Sequence, residues 1–375
     1  MSRSLLVLSL LALCAGCSSS TTSNDPLATN GPLTGDGEIA GQQEEANGSF
    51  GAAGGAADAP TASAGGASGK SGPSTGGNGS IQPGILTAGV WDDNRNFDVF
   101  QGFRAKHSGE QGLATLADSD FLGASQAALA AASAKQTLDI QIVIDTTGSM
   151  GDEIAYLNKE FDAMVSTISA KYPGAQQHWS LVAYKDKHDP YIARWFDFRT
   201  DPAELHSKLA TLTASGGGDF PESPEVALGI AHRLSWRQDP GTARLLFWIA
   251  DAPHHVEDAD AMAASLRGVR DKGIHIYPVA SSGIDEFTEL TMRSAAQVTG
   301  GRYVFLTDDS GVGDSHLVPS VPCFFVTKLN DAILRMVDIE MSGTYHEPAA
   351  NEVIRTGGDP KSGVCTLDTG TVKIY

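Results

Sequence analysis

The chain has 375 residues, enough for one large domain or two modest ones. It carries 45 acidic against 26 basic residues, a formal charge of −19. Such a surface repels phosphate backbones, which argues against non-specific nucleic-acid binding, and its acidic clusters suit hard cations.

The N-terminus MSRSLLVLSLLALCAGCSSS has one basic residue, Arg3, then an apolar run from Leu5 to Leu13, then small residues before Cys17. The run is too short to span a bilayer and reads as an export signal. Ala15-Gly16-Cys17 followed by serines resembles the lipobox of bacterial lipoproteins, whose cysteine becomes the lipidated N-terminus. Cys14 stands where that pattern usually has leucine. The resemblance implies a signal peptide over 1–17 and a lipid on Cys17. With Ser18 following, it implies export to the bacterial membrane, at the outer membrane or cell surface. An ordinary signal peptide cut nearby is the alternative. Cys323 and Cys365 remain, and an oxidising compartment lets them pair; two buried free thiols are the other reading.

Residues 18–82 contain one aromatic, Phe50, and ten glycines between positions 51 and 80. Such a stretch cannot bury enough apolar surface to offset its ordering entropy, so a flexible tether is expected, with a reach of roughly 45 Å. Residues 83–136 read as a partly ordered segment before the main domain. Within it, Asp92, Asp93 and Asn94 suit a turn between short strands, with calcium ligation as the sharper alternative. The alanine-rich 127–135 suits a short helix or a connector.

From 137 to 343 the pattern alternates strand and helix. Apolar β-branched or aromatic runs fall at 138–144, 179–184, 245–250, 274–280 and 303–306. Helical patterns fall between them, the first placing Ile154, Leu157, Phe161, Val165 and Ile168 on one face. Others cover 203–212, 222–234, 261–272, 285–299 and 325–336. Continuous apolar strands separated by helices predict an α/β fold, a doubly wound, mostly parallel sheet with helices on both faces. Residues 192–198 are expected as an antiparallel edge strand. Residues 344–375 are expected as an extension tied back by the disulfide.

In open α/β sheets ligands gather beyond the carboxyl ends of the strands. Three polar loops belong there: Asp145-Thr146-Thr147-Gly148-Ser149, then GGGDFPE with Asp219 and Glu222, then Asp251 after LLFWIA. Carboxylates, hydroxyls and water oxygens suit hard cations, whereas zinc would ask for Cys or His. The pattern resembles the von Willebrand factor A domain, a Rossmann-like module. Asp145, Thr147 and Ser149 satisfy the first loop of that family's metal-ion-dependent adhesion site, D-x-[ST]-x-S, and Asp251 satisfies its third. The second loop departs, with Asp219 where most members offer threonine; GGGD-x-PE resembles a subset of A domains. The resemblance implies a divalent cation, Mg²⁺ first and Ca²⁺ or Mn²⁺ as alternatives, with Asp219 or Glu222 as second-loop ligand. It also implies a protein partner that offers an Asp or Glu carboxylate to the ion, or an ion that only stabilises loops in an envelope assembly.

Tyr184, Lys185, Asp186, His254 and His255 are candidates for a partner-binding rim, with ordinary loop residues as the plain alternative. No enzymatic role is expected. DTTGS resembles the phosphorylated loops of P-type pumps and haloacid-dehalogenase phosphatases, but the pump's lysine and the phosphatase's second aspartate are missing. The D-T-G-T at Asp368 occurs once, whereas aspartic-protease chemistry needs two facing aspartates.

Overall fold

The computed structural model describes residues 31–41, 83–128, 133–313, 315–367 and 370–373. The signal, Cys17, most of the tether and Asp368 lie outside the described residues. In chain order the elements are β1 (Gly37–Ala40), β2 (Thr87–Trp91), α1 (Phe97–Lys106), α2 (Asp118–Ala128), β3 (Thr137–Asp145), α3 (Gly151–Lys171), β4 (Gln176–Tyr184) and β5 (Tyr191–Arg199). They continue with α4 (Pro202–Leu209), α5 (Pro224–Ala231), β6 (Thr242–Ala250), α6 (Ala259–Asp271), β7 (His275–Ala280), α7 (Glu286–Thr299) and β8 (Tyr303–Leu306). The chain closes with β9 (Phe324–Lys328), α8 (Leu329–Ser342), β10 (Arg355–Gly357), β11 (Val364–Leu367) and β12 (Gly370–Lys373).

Among the described residues the main sheet has ten strands in the order β1-β5-β4-β3-β6-β7-β8-β2-β9-β10. Its centre, β4-β3-β6-β7-β8, is parallel. Side chains of β3 alternate between two apolar layers, Val143 on one face and Ile140, Ile142 and Ile144 on the other. The first layer also takes Leu228 of α5, Leu266 of α6 and Leu290 of α7; the second takes Ile154 and Phe161 of α3 and Met336 of α8. That is the predicted doubly wound α/β fold with helices on both faces. After β3 the chain winds outward to β4 and β5, then returns to the other side at β6. The carboxyl ends of β3 and β6 therefore flank a topological switch point, where such sheets place their ligand sites.

The structure corrects the expected tether over 31–41, the edge position of β5 and the helix starting at 325, and it places residues 83–128. Residues 31–41 belong to the expected tether, yet β1 pairs antiparallel with β5, so β5 is antiparallel as expected but is not the edge. The segment is fixed by polar contacts that composition hides: Trp195 Nε1 donates to the Gly35 carbonyl (3.1 Å), Arg199 pairs with Asp36 (2.8 Å), and Arg194 pairs with Glu38. Gly37 lies flat on Trp195, where a Cβ would come within 2.2 Å of the ring.

Residues 83–128 do not form a separate unit. Strand β2 inserts between β8 and β9, antiparallel to both, and Phe100, Phe103 and Phe121 of α1 and α2 join the core layer of α7. Asp92 and Asp93 do lie in a turn, with the Arg95 amide donating to Asp92 Oδ1 at 3.0 Å, but it leads from β2 into α1 rather than between two short strands. Their carboxylates then pair with Arg302 (2.9 Å) and Arg293 (2.7 Å). Residues 324–328 are strand rather than the start of a helix, because they pair with β2 and β10, and the helix begins at Leu329. The C-terminal segment adds β10 to the sheet and a β11–β12 hairpin, and Cys323 and Cys365 are joined in a disulfide as expected.

Near the opposite end of the sheet from the switch point, Glu340 of α8 accepts from Tyr277 (2.5 Å) and lies 2.9 Å from His275 Nδ1. Burial by itself would raise this carboxyl, but His275 and Arg302 outweigh it and hold it at about 2. An acid whose folded pKa lies below its unfolded value stabilises the fold above that unfolded value, here about 4.5, and loses the contribution as pH falls toward 2. The urea midpoint of the wild type should therefore drop more steeply between those pH values than that of Glu340→Gln. Parallel slopes would refute the assignment.

Candidate functional site

The first loop begins where β3 ends. Asp145 is fully buried, and its Oδ1 accepts from the Thr147 amide (2.8 Å) and the Thr147 hydroxyl (2.7 Å). Its Oδ2 has no hydrogen-bond partner among the described residues. The following turn, Gly148–Met150, leads into α3, and neither it nor α3 receives a side-chain cap, so the loop's oxygens are not spent on capping the helix. Ser149 is exposed, and its hydroxyl lies near enough to Asp251, the residue after β6, to favour that residue's ionised carboxylate.

The second loop folds against both neighbours. Gly148 N donates to Gly216 O (3.1 Å) and Ser215 N to Thr146 O (3.1 Å), which fixes it to the first loop. Glu222 N donates to Pro253 O (2.9 Å), and Glu222 forms a parallel bridge with His254, which fixes it to the third. Gly217 has φ +71°, and a Cβ there would meet Glu222 Oε1 at 3.0 Å and Thr147 at 3.2 Å. Glycine is required where the second loop crosses so close to the first.

These contacts bring Asp145, Glu222 and Asp251 together as buried carboxylates, and one oxygen of each (Oδ2, Oε2 and Oδ1) has no hydrogen-bond partner among the described residues. Burial, reinforced by the charge of Asp251, raises the Asp145 carboxyl. Burial also raises Asp251. For Glu222, burial and then the charges of Asp145 and Asp186 push the carboxyl far up. Buried like charges that repel one another this way need a cation to be stable together. Among the described residues the three carboxylates are neighbours but, as placed, do not converge as ready ligands of one ion. The hydroxyls of Thr147 and Ser149 lie in the same loop as Asp145. Unpartnered carboxylate oxygens beside hydroxyls fit a hard divalent cation.

Asp219 is exposed, and the structure does not bring it into the cluster. Of the two second-loop candidates, Asp219 and Glu222, the buried carboxylate is Glu222.

The expected rim is corrected. Tyr184 is fully buried, and its hydroxyl accepts from Trp248 Nε1 (3.0 Å). Lys185 is buried too, its ammonium donating to the carbonyls of Thr146 and Ser215. Asp186 is buried and pairs with His255 Nε2 (2.5 Å). His254 is buried and its Nε2 donates to Gly112 O (2.8 Å), which leaves Nδ1 without a partner among the described residues. These four side chains are therefore internal supports of the loops, and only His255 keeps partial exposure. The apolar side chains that do emerge from these loops are Phe220 and Val256, neither singled out from sequence. The signal for the first is a lone Phe within the polar, glycine-rich run GGGDFPE.

Residues 139–311 match the family model described as the von Willebrand factor A domain. The chain is similar to the alpha-protein kinase vwkA of Dictyostelium discoideum, 26% identical over 145 residues, which are 38% of this chain and 23% of that protein. It is similar to the putative ariadne-like RING finger protein R811 of Acanthamoeba polyphaga mimivirus, 32% identical over 123 residues, 32% of this chain and 12% of that one. The collagen alpha-6(VI) chain of Homo sapiens is 26% identical over 183 residues, 47% of this chain and 8% of its own length. The chain thus spans less than a quarter of each of these relatives.

Proposed function

We propose that the von Willebrand factor A domain carried by this chain binds a divalent cation through Asp145, Thr147, Ser149, Glu222 and Asp251, and binds a protein partner at that face. The observation that carries the reading is the set of three buried carboxylates, each with an unpartnered oxygen, at the switch point of the sheet. Mg²⁺ is the first choice, with Ca²⁺ and Mn²⁺ as alternatives, because every candidate donor is oxygen. The ion would supply positive charge where three carboxylates otherwise repel, and an oxygen donor of the partner, such as an Asp or Glu carboxylate, would add to its coordination. Phe220 and Val256, exposed on the second and third loops, add apolar contact for a partner.

Full burial of the ligating carboxylates also supports a second reading, in which the ion only locks the loops. Pull-down from the native envelope, with and without chelator, separates the two. A protein retained with Mg²⁺ and lost with chelator supports partner binding, whereas chelator-insensitive or absent capture with a large metal-dependent melting shift supports the second reading. We place the protein at the bacterial membrane through a lipid on Cys17. Incorporation of labelled palmitate should disappear in Cys17→Ser; unchanged labelling would remove the anchor.

A further inference from the structure

A buried lysine normally has a carboxylate partner in direct contact. Lys185 has none. It follows the last residue of β4, its backbone N donates to Ile192 O (3.0 Å), and its side chain turns inward to 2% exposure. The ammonium donates to the carbonyls of Thr146, in the first site loop, and Ser215, in the second, with Ser215 Oγ at 3.4 Å and the Tyr191 ring centroid at 5.5 Å. Among the described residues it forms no ion pair at contact distance. Burial holds its pKa below the usual lysine value, against the fields of the nearby carboxylates Asp189, Asp145 and Glu222. Asp189 belongs to the same arrangement, since its Oδ2 accepts from Gly217 N (2.9 Å).

We propose that Lys185 is the resident counter-ion of the carboxylate cluster: its ammonium ties the first loop to the second and supplies one positive charge that a bound divalent cation must share the site with. The proposal rests on the cation-binding reading above. The three candidate ligand carboxylates, when ionised, are balanced by the ammonium together with one divalent ion, and Asp189 adds a further carboxylate beside them. Without the ammonium the filled site would be one unit more negative, and the ion would be held more strongly. The loops would then depend on the ion to stay assembled. Lys185 thus lowers ion affinity while making the ion-free fold viable.

The test uses the full chain with Lys185→Met, Lys185→Gln and Lys185→Arg, titrated calorimetrically with Mg²⁺ and Mn²⁺ and melted with and without ion. Lys185→Gln keeps a hydrogen-bond donor for the carbonyls and loses the charge, which separates the two roles and stands in should Lys185→Met fail to fold. Lys185→Met and Lys185→Gln should bind the ion about tenfold more tightly at low ionic strength, the gain shrinking at high salt, and show a larger ion-induced rise in melting temperature. Lys185→Arg should behave as wild type. Wild-type affinity in Lys185→Gln, or weaker binding in both uncharged variants, would overturn the counter-ion role. If the wild type binds no ion, it is the cation-binding reading that fails.

Discussion

Arg293→Met is expected to destabilise the fold by about 3–5 kcal/mol, the cost of breaking a buried ion network by removing one partner. Arg293 on α7 is fully buried and grips Asp93 with two bonds, Nη2 at 2.7 Å and Nε at 2.9 Å. Its Nη1 reaches Glu289 (3.0 Å) and Ser320 O (3.0 Å), and its guanidinium carbon lies 4.4 Å from the Phe103 ring centroid. One side chain therefore joins the segment after β2, helix α1, α7 and the loop before β9. Burial lifts both Asp93 and Glu289 even with the arginine present. Without it two carboxylates would be left uncompensated in an apolar layer. Domains hold roughly 5–15 kcal/mol in total, so the variant should be largely unfolded at modest urea concentrations. Adding Asp93→Asn and Glu289→Gln should recover part of the loss, because the stranded charges are then gone. A single variant within 1 kcal/mol of wild type by urea unfolding would show that the network is not what holds residues 83–128 to the sheet.

The second large effect concerns the second loop. Glu222→Ala should reduce divalent-ion affinity by more than the roughly 10–100-fold that outer-shell partners cost, while Asp219→Ala should leave it near wild type. The reason is position: Glu222 is buried beside Thr147 and its Oε2 lacks a partner, whereas the Asp219 side chain is in solvent. The opposite pattern would return the ligand role to Asp219.

What could be read from the sequence was what local pattern determines. DIQIVID ends a buried parallel strand with a carboxylate, LLFWIA does the same before Asp251, and both carboxylates are found where the winding of the sheet leaves a switch point. What could not be read depends on distant partners. Nothing local in GEIA announces a strand, because its pairing rests on Trp195, Arg194 and Arg199 more than 150 residues away. The β2 strand TAGVW is too short to show a period, and its membership of the sheet depends on β8 and β9. FFVTK runs directly into α8, so Phe325, Leu329 and Met336 fit a helical spacing across a boundary that tertiary pairing sets. Lys185 and His254 were polar residues at loop edges in the sequence, where burial is invisible; their inward turn depends on carbonyls of Thr146, Ser215 and Gly112.

Calorimetric titration of the intact protein with Mg²⁺, Ca²⁺ and Mn²⁺, repeated on Asp145→Ala, tests the central claim most directly. The three unpartnered carboxylate oxygens predict saturable one-site binding of at least one of these ions in the wild type and its loss in Asp145→Ala. A wild type that binds none of them, or an Asp145→Ala variant that binds as well as wild type, would contradict it.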